Sequence, residues 1–131
     1  MLWSLLTSLL AVGSVRDCSN GLGRAVMLGI SSSPESPKAG DNVTLWVAYD
    51  LPEPPITGGI ARYAYALNGI PFPASEYDLC TQTKCPKEVG FNNETSSSIF
   101  PSGISGKIVS SISWTDENDE LVWCVETTWR V

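Results

Sequence analysis

The chain has 131 residues, a formal net charge of −6 at neutral pH and no histidine. This length suits one domain with a single core. The acidic balance argues against nucleic acid as a partner, because contacts to phosphate need clustered lysine and arginine. Without histidine or a glycine-rich phosphate-binding motif, the chain lacks the usual parts of a hydrolase or a nucleotide enzyme. The composition therefore favours a binding protein over an enzyme, and it implies no cofactor or metal.

The N-terminal segment, MLWSLLTSLLAVG, contains no charged side chain, and its apolar run is too short to span a bilayer as a helix. Small residues at Ala11 and Gly13 indicate cleavage near Ser14. We therefore predict a signal peptide over residues 1–13 and a mature domain over residues 14–131. A buried N-terminal helix is the alternative interpretation of this segment.

Four cysteines lie in the predicted mature chain, and export makes disulfide bonds the first expectation for them. Three pairings are possible. The short separation of Cys80 and Cys85 favours a local loop, which leaves Cys18 to join Cys124 near the end of the chain. Zinc binding is the alternative, and the spacing fits it poorly because there is no second close pair.

Two glycosylation acceptors also favour export, one in the triplet that begins at Asn42 and one in the triplet that begins at Asn93. A glycan on Asn42 requires this residue to lie at the exposed start of a strand. We expect the mature protein to be secreted, or to work in the lumen of the endosome, lysosome or vacuole. In an acidic lumen its carboxylates become partly protonated, which lowers repulsion from an anionic membrane.

Short runs of alternating apolar and polar residues follow one another along the predicted mature chain, separated by Gly, Pro, Asn and Ser. This period-two pattern is typical of β-strands. Runs 24–30, 43–49 and 60–67 predict the first three strands. The residues that share a face in the second and third runs are Val43, Leu45, Val47, Tyr49, Tyr63, Tyr65 and Leu67.

The second half of the chain continues the β pattern after a turn at residues 68–69. Phe72 lies between two prolines in a stiff, extended segment. The stretch 90–98 is polar and follows the cysteine loop. The last two strands form a hairpin around the turn 116–119. About seven short strands without a helical segment predict an all-β fold, an immunoglobulin-like two-sheet β-sandwich.

Several landmarks occur together in one order. These are Cys18 before the first strand, the block 69–73 (Gly-Ile-Pro-Phe-Pro), the loop Cys80 to Cys85 followed by Pro86, Phe100-Pro101, Trp114 at a strand end, and Cys124 in the closing strand. Their order resembles the ML domain family. This family of lipid-recognition sandwiches includes the soluble Niemann-Pick type C sterol carrier and phospholipid carriers of fungi and plants.

The resemblance implies the disulfides Cys18–Cys124 and Cys80–Cys85, and an apolar cavity between the sheets that holds a sterol or a phospholipid. It also implies two aromatic residues near the cavity mouth and two residues in its wall. Strand alternation adds three tyrosines whose hydroxyls face a lipid headgroup. The predicted lipid-binding residues are Phe72, Phe100, Trp114, Val125, Tyr49, Tyr63 and Tyr65.

The function implied by the resemblance is to shuttle a lipid, as a monomer, between membranes or to a lipid-receiving protein through transient membrane contact. Lys84 and Lys87 beside the cysteine loop steer this contact toward anionic headgroups, or are simply solvated surface charges. The alternative function is an extracellular protein-binding or lipid-presenting module without transfer activity. Its interface would include outward-facing Trp46 and the region of Trp129.

Overall fold

The computed structural model describes residues 13–130, so the predicted signal peptide lies outside the described residues except for Gly13. These residues form nine β-strands and one short helix. The strands are β1 (Gly13–Asp17), β2 (Val26–Ser33), β3 (Asn42–Leu51), β4 (Gly59–Leu67), β5 (Ile70–Pro71), β6 (Ser75–Asp78), β7 (Gly90–Ile99), β8 (Lys107–Asp116) and β9 (Leu121–Arg130), and the helix is α1 (Leu79–Gln82).

The strands form two antiparallel sheets. The six-stranded sheet has the order β1-β9-β8-β4-β5, and β6 pairs with β4 on the same side as β5. The three-stranded sheet has the order β2-β3-β7. The predicted all-β, two-sheet sandwich is thus confirmed, with two very short strands among the nine. No helix within residues 13–130 is long and apolar enough to cross a membrane.

The core lies where the inward faces of β3, β8 and β9 meet. Alternate residues of β3 are buried, as its period-two pattern predicts. The rings of Trp114 and Trp123 pack at a centroid distance of 4.6 Å, and Tyr49 meets Trp114 edge-on at 6.4 Å. Burying each such aromatic side chain contributes on the order of 2–3 kcal/mol, so this cluster holds the two sheets together at one end.

A second, smaller cluster lies at the other end of the sandwich. Phe100 packs edge-on against Trp129 at a centroid distance of 5.5 Å, and Val43 and Ile108 complete the cluster. Phe100 is held there by backbone hydrogen bonds, since its N–H donates to Asp41 and its carbonyl accepts from Gly40. The space between the two clusters is where the sandwich has room for a ligand.

Both predicted disulfides are present. Cys18 is bonded to Cys124, and Cys80 is bonded to Cys85. The Cys18 N–H also donates to the Cys124 carbonyl at 2.9 Å, which fastens the segment after β1 to β9. The pairing favoured by spacing and implied by the family resemblance is therefore confirmed.

The polar stretch 90–98 is a strand, which the sequence pattern did not predict. It forms most of β7, which pairs with β3 along its whole length, from Asn42 opposite Ile99 to Leu51 opposite Gly90. Its inward residues are Asn92, Glu94 and Ser96, which are half-buried. An alternation of one polar residue with another has no hydropathy period, so the sequence pattern missed this strand. β1 was also not predicted, and it includes the expected cleavage point near Ser14.

Candidate functional site

The two sheets approach each other along one edge and separate along the other. On the closed edge, β1 and β2 are in contact, and the Arg24 and Ala25 N–H groups donate to carbonyls of β9. On the open edge, a recess of about 540 Å³ lies between β4 and β6 of one sheet and β7 of the other. We call it the mouth; it is lined by Tyr63, Tyr77, Gln82, Ser96, Ser97, Ser98, Ser110 and Ile112.

Three further spaces lie behind or beside the mouth and share wall residues with it or with one another. The Trp123 chamber, of about 230 Å³, is bounded by Leu45, Val47, Glu94, Trp114 and Trp123 together with residues of the mouth. The Phe100 chamber, of about 320 Å³, is bounded by Val43, Tyr65, Ser98, Ile99, Phe100, Pro101, Ile108, Ser110 and Trp129. The third space, of about 60 Å³, shares wall residues with both chambers and lies between them.

These adjoining spaces, which we together call the cavity, have walls that are apolar on one side and polar on the other. Residues of β3, β8 and β9 supply aliphatic and indole groups, whereas β7 supplies Glu94, Ser96 and Ser98. The sequence-based expectation of an apolar cavity therefore holds for only part of its surface. The reason is β7, because the residues opposite Val47, Leu45 and Val43 on this strand are those three polar residues.

Glu94 is the centre of a polar cluster at the floor of the Trp123 chamber. Its carboxylate lies 2.9 Å from the Lys87 ammonium. It also accepts hydrogen bonds from the Tyr49 hydroxyl at 3.0 Å and the Thr83 hydroxyl at 2.9 Å. Burial, reinforced by the adjacent carboxylate, raises the pKa of Tyr49 above its ordinary range. The cluster joins β3, β7 and the cysteine loop, which fixes the loop against the cavity.

Lys87 therefore does not serve as the free surface charge that the sequence interpretation considered. Its side chain is largely buried because the ammonium is drawn inward to Glu94, and its backbone forms an isolated bridge with Ile56. Lys84 remains exposed on the loop.

The cysteine loop also supplies a polar group to the mouth. The Tyr63 hydroxyl donates to the Gln82 side-chain oxygen at 3.0 Å, and the Tyr63 ring meets that of Tyr77 at 5.8 Å. Burial and the neighbouring Tyr77 raise the pKa of Tyr63, so its hydroxyl stays protonated at neutral pH. Gln82 lies in α1, whose first turn is capped by the Asp78 carboxylate accepting from the Cys80 N–H. The loop thus places a neutral hydrogen-bonding pair at the entrance.

Four of the predicted lipid-binding residues lie on the cavity wall. Tyr63 and Trp114 line the Trp123 chamber, and Tyr65 and Phe100 line the Phe100 chamber. Phe72 is not among the wall residues of these spaces; it follows the edge strand β5, is 41% exposed, and its ring stacks on that of Tyr65 at a centroid distance of 4.7 Å.

The other two predicted residues are placed differently. Tyr49 and Val125 belong to the main core cluster and are almost completely buried. Tyr49 acts on the cavity through its hydrogen bond to Glu94, and Val125 supports the inward face of β9 next to Trp123. A ligand role for either residue stays a prediction.

Several cavity residues were missed by sequence reasoning. The polar residues of β7 were missed because the strand itself was not recognised. Ile112 and Trp123 lie on inward faces of β8 and β9, and only their approach to the opposite sheet shows that they line the cavity. Gln82 carries no sequence signal, because its role depends on where the cysteine loop lies.

The two tryptophans of the predicted protein interface differ in exposure. Trp46 points outward and is partly exposed, as predicted, whereas Trp129 is buried at 8% exposure because β9 turns it into the sandwich. The interface suggested around Trp129 is therefore wrong for that side chain.

Asn42 is exposed at the first residue of β3, and Asn93 is exposed on β7, so both sequons are accessible.

Comparison with known proteins places the fold. The family model of the ML domain matches residues 13–131. No curated protein sequence matches the chain. The structure is similar to that of a Niemann-Pick type C2 protein from Japanese carpenter ant, with a TM-score of 0.65 and 17% identity over 89% of this chain and 98% of that chain.

A second similar structure is chicken MD-1 complexed with lipid IVa, with a TM-score of 0.58 and 13% identity over 90% of this chain and 88% of that chain. At these identities the two structures establish the shared fold, and the family match covers every described residue. The chain belongs to the ML domain family.

Proposed function

We propose that this protein is a non-enzymatic lipid carrier that holds a sterol or a phospholipid between its sheets and delivers it to a membrane or a partner protein. The observation that carries the proposal is the set of adjoining spaces between the sheets, with the mouth at the separated edge of the sandwich. Its size falls in the range of small-molecule sites, and its inner walls are rich in aromatic and aliphatic side chains. A predicted signal peptide, two disulfides and two accessible sequons support work outside the cytosol.

The energetics of lipid carriage are reasonable for a cavity of this kind. Burying on the order of 400 Å² of apolar ligand surface, at about 25 cal/mol per Å², contributes roughly 10 kcal/mol before costs. Lost translational and rotational freedom and ordering of side chains offset a large part of this. A dissociation constant between micromolar and nanomolar follows, which allows both retention and release.

The similar structure of MD-1 was determined with lipid IVa bound, which supports a lipid as the ligand class for this fold. Exposed apolar side chains lie along the open edge of the sandwich, which we call the rim, and would enter a membrane surface during loading. Tyr77 lines the mouth, Tyr65 and Ile99 line the Phe100 chamber, and Ile70 and Phe72 lie on or next to the edge strand β5. A patch of this kind on a secreted domain is typical of a membrane or partner contact. We therefore place transient membrane contact at the rim, with the protein acting as a monomer.

The second candidate function is lipid presentation or protein binding without transfer. One observation favours it, namely that Trp46 and Phe91 lie exposed on the outer face of the three-stranded sheet. Exposed aromatic residues often anchor protein interfaces. In this case the protein would keep its lipid while a receptor recognises the outer face.

Organic extraction followed by mass spectrometry of the purified protein tests carriage directly. We expect one lipid per protein, and saturable uptake of a fluorescent sterol or a fluorescent phospholipid that displaces it. An empty protein that takes up neither probe would contradict the proposal. Transfer between donor and acceptor vesicles then separates the two functions, because a presenting module binds the probe without accelerating its exchange.

A further inference from the structure

A small polar space lies in the middle of the cavity, between the Phe100 chamber and the Trp123 chamber. Its volume is about 60 Å³. Five hydroxyl-bearing side chains from four strands converge on it, and we call it the hydroxyl chamber. They are Ser32, Ser96, Ser98, Ser110 and Thr127.

Sheet register explains why these hydroxyls meet. In the three-stranded sheet, Ser32 and Ser96 flank Leu45 from either side, so all three lie in one row. In the six-stranded sheet, Ser110 lies opposite Thr127. Both rows face inward, and the two sheets bring them together. A sandwich that only needed a closed core would fill such positions with aliphatic residues.

A second observation points to a ligand at the same place. Trp129 lines the hydroxyl chamber and is 8% exposed, yet its indole N–H has no hydrogen-bond acceptor among residues 13–130. Buried indole N–H groups usually have a partner, because leaving a donor unsatisfied is unfavourable. One wall residue of the chamber thus carries an unused donor, beside hydroxyls that both donate and accept.

The chemistry of the wall restricts the group that fits there. The remaining side chains that line the hydroxyl chamber are Val43, Leu45 and Ile112, so the described wall carries no charge. A carboxylate or phosphate would be desolvated there without a counter-charge, which is strongly unfavourable. A neutral hydroxyl group can accept from the indole N–H and donate to a serine or threonine oxygen without this desolvation cost.

The position of the chamber tells which part of a ligand reaches it. It shares Val43, Ser98 and Trp129 with the Phe100 chamber, and Leu45 and Ser96 with the Trp123 chamber. A lipid long enough to occupy both larger chambers therefore places the middle of its body at the hydroxyls. A polar headgroup at one end of the lipid would lie elsewhere, at the mouth or in water.

We propose that the hydroxyl chamber is a subsite for a neutral hydroxyl group on the body of the bound lipid, whose oxygen accepts the Trp129 N–H. This inference rests on the proposed lipid carriage and adds the ligand class: lipids hydroxylated along the chain or the ring system. The hydroxyl can come from an acyl chain or from a sterol nucleus, and paired probes distinguish the two sources.

The test compares two matched pairs of probes, stearate with 12-hydroxystearate and cholesterol with 7-hydroxycholesterol. For the pair that fits, we expect the hydroxylated member to bind the wild-type protein about five- to tenfold more tightly, as one or two buried hydrogen bonds would give. Trp129→Phe keeps an aromatic ring and removes the N–H, and Ser110→Ala removes one hydroxyl. Each should reduce the ratio of the affinity for the hydroxylated member to the affinity for its parent, toward one.

Ser111→Ala is the matched control, because Ser111 is adjacent on β8 and faces away from the cavity, opposite Glu126. It should keep the full preference. Equal affinity of wild-type protein for both members of each pair would overturn the subsite and leave lipid carriage standing. A preference that survives both Trp129→Phe and Ser110→Ala, with folding verified by circular dichroism, would also overturn it. Failure to bind any of the four probes would overturn the subsite, and it would overturn carriage as well if the protein also carries no extractable lipid and takes up neither fluorescent probe.

Discussion

Asp116 is a buried carboxylate that organises one end of the sandwich. It accepts hydrogen bonds from the Asn118 and Glu120 N–H groups at 2.9 Å and from the Arg24 guanidinium at 2.9 Å. Arg24 also donates to the Pro52 and Pro54 carbonyls. Burial alone would raise the pKa of Asp116, but the backbone and guanidinium hydrogen bonds outweigh it and hold the pKa below its ordinary value. One carboxylate therefore connects the β8–β9 turn with the proline-rich loop before β4.

Asp116→Asn should make the free energy of unfolding less dependent on pH in the acidic range. Because the folded-state pKa is lowered, the ionised group stabilises the fold above the unfolded-state pKa of about 3.9, and this contribution is lost as pH falls through the folded-state pKa. At neutral pH we expect a loss on the order of 3 kcal/mol, since Arg24 is left buried without its partner. Urea unfolding across pH measures it. Asp119→Asn, exposed on the same turn, is the control, and an Asp116→Asn deficit that stays constant down to pH 2 would contradict this account.

Phe72→Ala should weaken lipid binding about fivefold with little change in melting temperature. The ring is partly exposed at the rim and stacks on Tyr65, so about half of its apolar surface is available to a ligand or a membrane. Phe91→Ala is a matched control, because Phe91 is also exposed but lies on the outer face of β7. Fluorescent-lipid titration and thermal unfolding measure both effects. Parallel losses of binding and stability in Phe72→Ala would show that the ring is structural.

At the scale of elements, β7 is a strand whose sequence alone has little strand character. Serine and asparagine are not strong β-formers, and the strand forms because β3 offers a complete ladder of hydrogen-bonding partners. Its polar inward face then becomes one wall of the cavity. The same strand that escapes sequence analysis therefore sets the chemistry of the ligand site.

The start of β4 depends on the absence of a side chain. Gly59 has φ of +139°, and a Cβ at this position would overlap the Thr115 carbonyl of β8. Gly59→Ala should therefore destabilise the fold by about 2 kcal/mol or more, through backbone strain and a displaced strand. Gly29→Ala is the control, because a Cβ there meets no atom within 4 Å. Chemical denaturation should give a clearly lower free energy of unfolding for Gly59→Ala than for Gly29→Ala. Equal values would show that β4 can shift to make room for the Cβ without loss of stability.

For the molecule as a whole, the two disulfides differ greatly in the length of chain that they close. Cys18 and Cys124 are separated by 106 positions, and Cys80 and Cys85 by 5. In the chain-entropy model these loops correspond to about 5 and about 2 kcal/mol, respectively. The long bridge therefore supplies a large share of the stability expected for a domain of this size.

Replacing each cysteine pair by serine tests this difference. Cys18→Ser with Cys124→Ser should lower the free energy of unfolding by roughly twice as much as Cys80→Ser with Cys85→Ser. The short bridge should instead affect ligand binding, because its loop carries Gln82 and contacts Glu94 through Thr83. Urea unfolding and lipid titration measure the two effects, and a larger stability loss from the short bridge would contradict the assignment.

The strand patterns and the landmarks along the chain predicted the sandwich, the disulfide pattern and four residues that line the cavity. This was possible because β3, β4, β8 and β9 carry apolar residues on one face, so their period-two patterns are visible without knowledge of their partners. The family resemblance then related Phe100 and Trp114 to a ligand space. Trp114 and Phe100 both line a chamber, but Phe100 is buried in the second core cluster and not at the mouth where it was expected, because its backbone is hydrogen-bonded to Gly40 and Asp41. A ligand role for either residue stays a prediction.

The polarity of the cavity and the position of its mouth are visible only in the tertiary structure. Both depend on β7, which forms through pairing with β3, and on the distance between the two sheets at their open edge. Partners in a sheet are selected by long-range register, which local patterns do not encode when the inward side chains are polar. For the same reason, the convergence of Ser32, Ser110 and Trp129 on one chamber appears only after both sheets are assembled.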